Sequence, residues 1–534
     1  MKILKWLTLP VLLLAGYNSN HAQSFEVSIT PVIIDGLGGL QSYAVATYDG
    51  DWLLVGGRLD GLHQRQPFAS FSADGRNQDL IVVNPKTKQV WRAPLSVLPT
   101  SIAEQLASTN MQFHQSGEQL LCTGGYAYSS SVGDHITFPY LTIIEVPQTI
   151  SDVKHNNVNT STFHQIESET FRVTGGALDK IEDTYYLVGG QSFMGRYNPM
   201  GPNHGPGFVQ KYTDEIRKFT ISDDSQPTVQ FLPASHDEMH LHRRDYNLVP
   251  YISDGERQLM VYSGVFKSTV DLPWLYPVSI SKDGYMPHED FNQYFNHYHC
   301  AYLPIYDADL DEMHTLFFGG IAQFYKENEL LVQDNDVPFV NTIATVTRNK
   351  YGALEEKTLP TQMPGYMGAG AVFMLDVDTP LADEGILDGS VIGESFEEIG
   401  YIYGGIRSSM PNIFWTNTGV ESEASATIHK VSLKRIDVAT STSKSHQEQH
   451  LEFYPNPAMQ LVRMSIVIDT PVDITISITD TMGRLVEKRS FHKEELVEGE
   501  NILVLDDVNI GYGSFFYTVN LGTKLITRKV IWTE

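Results

Sequence analysis

Only two cysteines, Cys122 and Cys300, occur among the 534 residues. No disulfide scaffold is available, so the chain must be held together by buried secondary structure rather than covalent staples, and both thiols are expected to be free and buried. Positive charge is also scarce. Lys and Arg number 37 against 64 Asp and Glu, a formal charge of −27, which repels phosphate backbones and argues against nucleic acid as a partner. No apolar run reaches the roughly 20 residues that span a bilayer. The run at 6–16 follows Lys2 and Lys5 and leads into a polar stretch ending His21-Ala22-Gln23, the order of a secretory signal peptide over residues 1–22. No Gly-rich phosphate loop and no nucleophile motif is present.

What the chain does have is β-forming material and a repeat. Hydrophobic residues make up 42%, with 27 Tyr and 25 Phe, suited to pleated, half-buried surfaces. Six times an apolar strand runs into a pair of small residues: Gly56-Gly57, Gly124-Gly125, Gly189-Gly190, Ser263-Gly264, Gly319-Gly320 and Gly404-Gly405. Polar turns such as Asp49-Gly50-Asp51 precede these strands and read as hairpins. A further strand follows after a loop in most units, for example Leu80-Ile81-Val82-Val83 and Ile343-Ala344-Thr345-Val346. Three or four strands per unit make a propeller blade. The paired glycines are expected where only a residue without Cβ permits unusual φ or a close backbone approach. The last unit is short of an outer strand, which residues 25–29 supply from the N-terminus.

These double-glycine corners resemble the kelch repeat, and the resemblance covers residues 24–438. Its aromatic half survives clearly only as Trp91. The units are longer than the roughly 50 residues of a kelch unit, so the surplus is expected in loops such as 191–207 and 321–338, which in kelch propellers project over one face. The expected fold is all-β: a six-bladed kelch-type β-propeller, then a small immunoglobulin-like β-sandwich.

Residues 439–450 are small and polar and read as a linker. Beyond it, Val462, Met464, Ile466 and Ile468 share one strand face, and Val472, Ile474, Ile476 and Ile478 another, the alternation of a half-buried sandwich. Phe453-Tyr454-Pro455-Asn456-Pro457, the later Asp480-Thr481-Met482-Gly483-Arg484 and the basic last strand over 524–530 closely resemble the type A C-terminal sorting domain of the Bacteroidota type IX secretion system, covering 451–534. The resemblance implies Sec export, passage across the outer membrane by the type IX machinery, and tail removal on release or cell-surface attachment. The competing reading is an ordinary immunoglobulin-like adhesion module.

Candidate chemistry sits near the corners. His240 and His242, and His297 and His299, are pairs two apart, which alternation puts on one side of a strand and which suit zinc or copper; the plainer reading is ring packing. A galactose-oxidase-like copper enzyme would need a cysteine bonded to a tyrosine, and only Cys300 is available for it. Asp307, Asp309 and Asp311 alternate in a turn as calcium ligands do, without the full spacing of a known loop. Arg58, Arg243, Arg244 and Arg407 lie beside corners and would line a cationic funnel for an anionic sugar or carboxylate, or pair with adjacent acids such as Asp60 and Asp245. The expected ligand residues are thus Arg58, His242, Arg243, Arg244, His297, His299 and Arg407, with no required cofactor. The chain reads as a monomeric, non-catalytic binding module for a glycan or protein, with a carbohydrate-active enzyme as the alternative.

Overall fold

The computed structural model describes residues 24–66, 68–205, 207–222, 224–327 and 330–436, and from the C-terminal part 451–454, 456, 458, 461–468, 471–480, 484–497, 499–505, 511–521 and 525–533. The expected signal peptide, the linker 439–450, Pro455 and Pro457 lie outside the described residues. The chain divides into two compact units, one over Ala22–Asp437 and one containing Val438–Glu534.

The first unit is all-β, and six antiparallel meanders follow one another along it. The first comprises Ala44–Tyr48, Asp51–Val55, Asp79–Asn84 and Gln89–Pro94, and the second Gln112–Ser116, Gln119–Thr123, Tyr140–Glu145 and Phe163–Glu167. The third holds Ala177–Ile181, Thr184–Val188, Glu215–Ile221 and Val229–His236, and the fourth Asn247–Ser253, Glu256–Tyr262, Val278–Ser281 and Gly284–Pro287. The fifth holds Ala301–Asp307, Glu312–Phe318, Thr342–Arg348 and Leu354–Gln362, extended at its first strand by Ile386–Asp388 and Leu381–Asp383. In the sixth, Tyr366–Leu375, Glu397–Ser408 and Ile428–Ile436 are completed by Ser24–Val32, paired antiparallel with Phe25 opposite Arg435 and Val27 opposite Leu433.

Inner strands such as Asp51–Val55 and Glu312–Phe318 are buried throughout, and their sequences are continuous apolar runs because both faces meet another sheet. Alternate residues go to opposite neighbours. Leu53 and Val55 pack with Leu120 and Cys122 of the second sheet, whereas Trp52 and Leu54 pack with Tyr401 and Tyr403 of the sixth. The same hand-over joins second to third, third to fourth, fourth to fifth and fifth to sixth. Packing therefore runs from sheet to sheet and returns to its start.

Two sets of backbone bonds follow the same circuit. At each corner the second glycine donates its N–H to a carbonyl of the next unit: Gly57 to Ser108, Gly125 to Val173, Gly190 to Arg243, Gly264 to His297, Gly320 to Met367 and Gly405 to Leu40. At the second corner the first glycine is needed for space as well as for positive φ, since a Cβ on Gly124 would sit 1.9 Å from the Val173 oxygen, whereas the fourth corner accommodates Ser263 at φ 55°. Just before the first strands, and at Gly370 within that of the sixth sheet, Ser42 donates to Gly370, Gly370 to His299, His299 to Asp245, Asp245 to Gly175, Gly175 to Asn110 and Asn110 to Ser42, at 2.7–3.4 Å. These residues form a closed collar of hydrogen bonds.

The second unit has two sheets. One orders Leu451–Tyr454, Val462–Ile468 and Gly499–Leu505, and the other Leu485–Phe491, Ile474–Asp480, Gly513–Asn520 and Leu525–Trp532. Val462, Met464, Ile466 and Ile468 share one buried cluster with Ile474, Ile476, Ile478 and Tyr517. Asn456 braces the last strand, donating from Nδ2 to the Lys529 carbonyl at 2.9 Å and accepting at Oδ1 from the Ile531 N–H at 2.8 Å.

Candidate functional site

A cavity of about 670 Å³ and another of about 540 Å³ share Ser42, Asn110, Gly175 and Asp245 in their walls, so the collar separates them. The larger is enclosed by the segments that follow the glycine corners. Those of the second and third units form a sheet of their own, Tyr126–Ser129, Asp134–Thr137, Gln191–Met194 and Val209–Tyr212. Long loops on a rigid scaffold are where binding chemistry concentrates.

Arg244 lies in the wall of the larger cavity, with Nη1 3.2 Å from Asp245 Oδ2 and its guanidinium 4.6 Å from the Phe266 ring centre. Its Nε has no hydrogen-bond partner. Burial works against its charge, yet Tyr212 and Asp245 outweigh that and hold its pKa above the ordinary arginine value. Arg58 is 4% exposed, fixed by two bonds to Asp60 and one to the Ser72 carbonyl.

His63 packs against both Phe71 and Tyr197, with ring centres 5.7 and 5.2 Å away. Burial, then the charges of Arg244 and Arg58, push its pKa down to about 4, so the imidazole is neutral near pH 7. His242 donates from Nδ1 to Asp214 Oδ1 at 2.8 Å and stacks on Tyr212 at 3.8 Å. Tyr298 faces the same cavity; burial and then the Asp245 carboxylate raise its phenol pKa. The site thus offers fixed guanidinium charge, a neutral imidazole, a His–Asp pair and aromatic walls, a set that can grip a carboxylate on an otherwise uncharged, polar ring.

Of the residues singled out by sequence, Arg58, His242 and Arg244 line this cavity, and His299 lines the smaller one. Tyr298 and His299 are adjacent yet enter different cavities, at the bend just before the strand Ala301–Asp307. Three expected ligand residues line neither. Arg243 is 1% exposed and donates to the carbonyls of His240, Ser263 and Tyr276, with its guanidinium against Trp274 and Tyr276. His297 is fully buried, with Nε2 bonded to the Gln293 carbonyl and Nδ1 accepting from the Gln323 N–H. Arg407 is exposed beside Glu423; its neighbour Ile406 faces the cavity instead.

The metal readings gather no ligand set. His240 bonds the Tyr276 hydroxyl, and both nitrogens of His297 are engaged. Asp307 is turned to Arg435 and to the Asp309 and Leu310 N–H groups, and Asp311 to Arg348. Among the described residues, one carboxylate–histidine group has metal-compatible spacing, Asp473, His492 and Glu494, all exposed in the second unit. Both cysteines are free and buried. Burial pushes the Cys300 thiol up to about 12, and its sulfur accepts from Asn247 inside an apolar cluster, which keeps it a neutral thiol and does not suit a copper centre.

Sequence reading missed His63, Tyr197, Tyr212, Asp214, Tyr298 and Trp415. Each follows a glycine corner or precedes a first strand, and that position is the one signal that would have found them.

No curated protein matches the chain. Among solved structures, one described as "Structure of YjhT" is similar over 60% of this chain and 84% of that chain, at 13% identity and a TM-score of 0.36. No helix among the described residues is long and apolar enough to cross a membrane. Residues 452–533 match the family described as "Secretion system C-terminal sorting domain", so the second unit is a type IX sorting domain and the chain is one destined for secretion or attachment at the cell surface.

Proposed function

We propose that residues 24–438 are a six-bladed propeller of the kelch kind, that 1–22 are a signal peptide and 439–450 a linker, and that 451–534 are an immunoglobulin-like sorting domain. The closed packing circuit, the collar and the corner bonds support the propeller. On this reading the protein is an exported binding module whose larger cavity takes a glycan bearing an acidic sugar. One observation carries it: in a protein of charge −27, the Arg244 guanidinium stands in a cavity wall, with its side chain 15% exposed and braced between Asp245 and the Phe266 ring. A guanidinium held so is the usual partner of a planar carboxylate.

A specific observation favours a second reading. The His242–Asp214 pair is the arrangement that orients an imidazole for proton transfer, which would make the cavity the site of a carbohydrate-active enzyme. Both are tested by presenting the purified protein to an array of neutral and acidic glycans. Binding confined to acidic glycans and lost in Arg244→Met supports the module, and binding of neutral glycans that survives in Arg244→Met sinks it. Chemical change of a bound glycan that stops in His242→Gln moves the assignment to the enzyme.

A further inference from the structure

The larger cavity changes character from depth to mouth. Deep in it stand Arg58, with a side chain 5% exposed, and Arg244, 15% exposed. Trp415, also in its wall, is 61% exposed. Single exposed aromatics need no explanation, but this one is braced. The Arg65 guanidinium lies 4.8 Å from its ring centre, and Arg65 Nη1 donates to the Trp415 carbonyl at 2.8 Å. Two residues on, Asn417 Nδ2 donates to the carbonyls of Leu62 and His63, each at 2.9 Å. The Ser422 hydroxyl accepts from the Leu62 N–H at 2.9 Å. The loop that carries the indole is therefore tied to the segment that carries the deep histidine, and the two surfaces are held at a fixed separation. Such preorganisation removes the ordering cost that a mobile aromatic would impose on a ligand.

Resting on the acidic-sugar reading, we propose that the cavity receives the end of an acidic glycan chain rather than a free monosaccharide. The terminal carboxylate meets Arg244, and the neighbouring sugar lies with its C–H face on the Trp415 indole. An indole suits that place because it offers a broad apolar face while tolerating water at its edge. The volume of about 670 Å³ sits well inside the range of about 300–1,000 Å³ for pockets that enclose small-molecule ligands. The Trp415 loop would then set the preference for chain length, and Arg244 the preference for charge.

The test is calorimetry on the full chain with paired probes: galacturonate and trigalacturonate, glucuronate and a hyaluronan tetrasaccharide, N-acetylneuraminate and its α2,8-linked dimer. The expected result is one pair in which the oligomer binds at least about tenfold tighter than its monomer, a gain of about 1.4 kcal/mol. In Trp415→Ala that ratio falls towards one, and in Trp415→Phe, which keeps an aromatic face, it is largely restored. Equal affinity for monomer and oligomer in the native protein overturns the chain-end proposal and leaves the acidic-sugar reading standing. A ratio unchanged in Trp415→Ala does the same. Failure of every acidic probe to bind overturns the underlying reading, and this proposal with it.

Discussion

The Ser42 N–H donates to the Gly370 carbonyl at 2.9 Å, joining the approach to the first sheet to the first strand of the sixth. The tie is one of several between the ends of the unit. Gly405 donates to Leu40, and the strand Ser24–Val32 completes the sixth sheet with Phe25 and Val27 buried in its core. Residues 33–43 carry the chain from that strand into the first sheet, so closure of the circuit rests on the noncovalent pairing of Ser24–Val32 with Ile428–Ile436.

Phe25→Ala should therefore destabilise more than its position near a terminus suggests, by about 3–5 kcal/mol, the cost of emptying a well-packed phenylalanine site. Phe25 is 1% exposed. Equilibrium urea unfolding followed by tryptophan fluorescence checks this, and a loss below about 1 kcal/mol would mean that the N-terminal strand is dispensable to the sheet.

Gly117 and Gly124 separate backbone strain from steric closure. Both have positive φ, 57° and 65°, but a Cβ at Gly117 meets nothing within 4 Å, whereas at Gly124 it would lie 1.9 Å from the Val173 oxygen. Gly117→Ala should cost about 1 kcal/mol from the left-handed backbone alone. Gly124→Ala must in addition push apart the second and third sheets, so its urea midpoint should fall at least twice as far. Equal midpoints for the two variants would show that the corner is not a point of close approach.

Arg243 and Arg244 are adjacent, and opposite consequences follow from replacing them. Arg243→Met strands three buried carbonyls, each costing about 1–3 kcal/mol when left unpaired, so the expected effect is a large loss of stability. Arg244→Met leaves one buried carboxylate, Asp245, without its guanidinium, against three carbonyls stranded at Arg243, so it should lose less stability than Arg243→Met while acidic-glycan binding disappears. Differential scanning fluorimetry beside a binding assay distinguishes them, and a larger thermal loss in Arg244→Met than in Arg243→Met would reverse the roles assigned here.

The corners were readable in sequence because a glycine pair after an apolar run has one main physical cause, close backbone approach at positive φ, and the run itself records burial on both faces. The N-terminal strand was readable for the same reason: residues 25–29 alternate and the last unit lacked a partner. Burial direction was not readable near the corners, where backbone leaves regular geometry and period-two reasoning loses its register. Arg243 and Arg244, or Ile406 and Arg407, differ by one residue, and that single step decides between core, cavity and solvent. Pairings such as His242 with Asp214 join residues from two successive units, and nothing local in either segment announces the other.

Acid stability gives a final expectation, because several histidines are buried in neutral form. Burial, as the first cause, pushes His63, His297, His314 and His429 down to about 4 each. Unfolded histidine titrates near 6.5. Above that pH neither state takes the proton and nothing is gained or lost; as pH falls from about 6.5 to about 4 the unfolded chain binds protons that the native protein refuses. Each histidine then removes up to about 1.4 kcal/mol of stability per pH unit across that window. Glu356 opposes them. Burial raises its carboxyl to about 8 despite the Tyr294 and Phe295 N–H groups that it accepts from, so its contribution is full at low pH and is lost as pH rises through about 8. Burial also lowers His114, His135, His288 and His299 and raises Glu312, so histidines outnumber opposing carboxyls between about 4.5 and 6.5, and stability should peak near pH 6.5 with the steeper fall on the acid side. His429 makes the sharpest test, since neither of its ring nitrogens has a partner and it is 4% exposed. His429→Leu should flatten the acid limb of the urea midpoint by about one proton's share while leaving pH 7 stability close to native or better. An acid limb identical to that of the native protein would mean that this imidazole does not titrate out of a neutral, buried state.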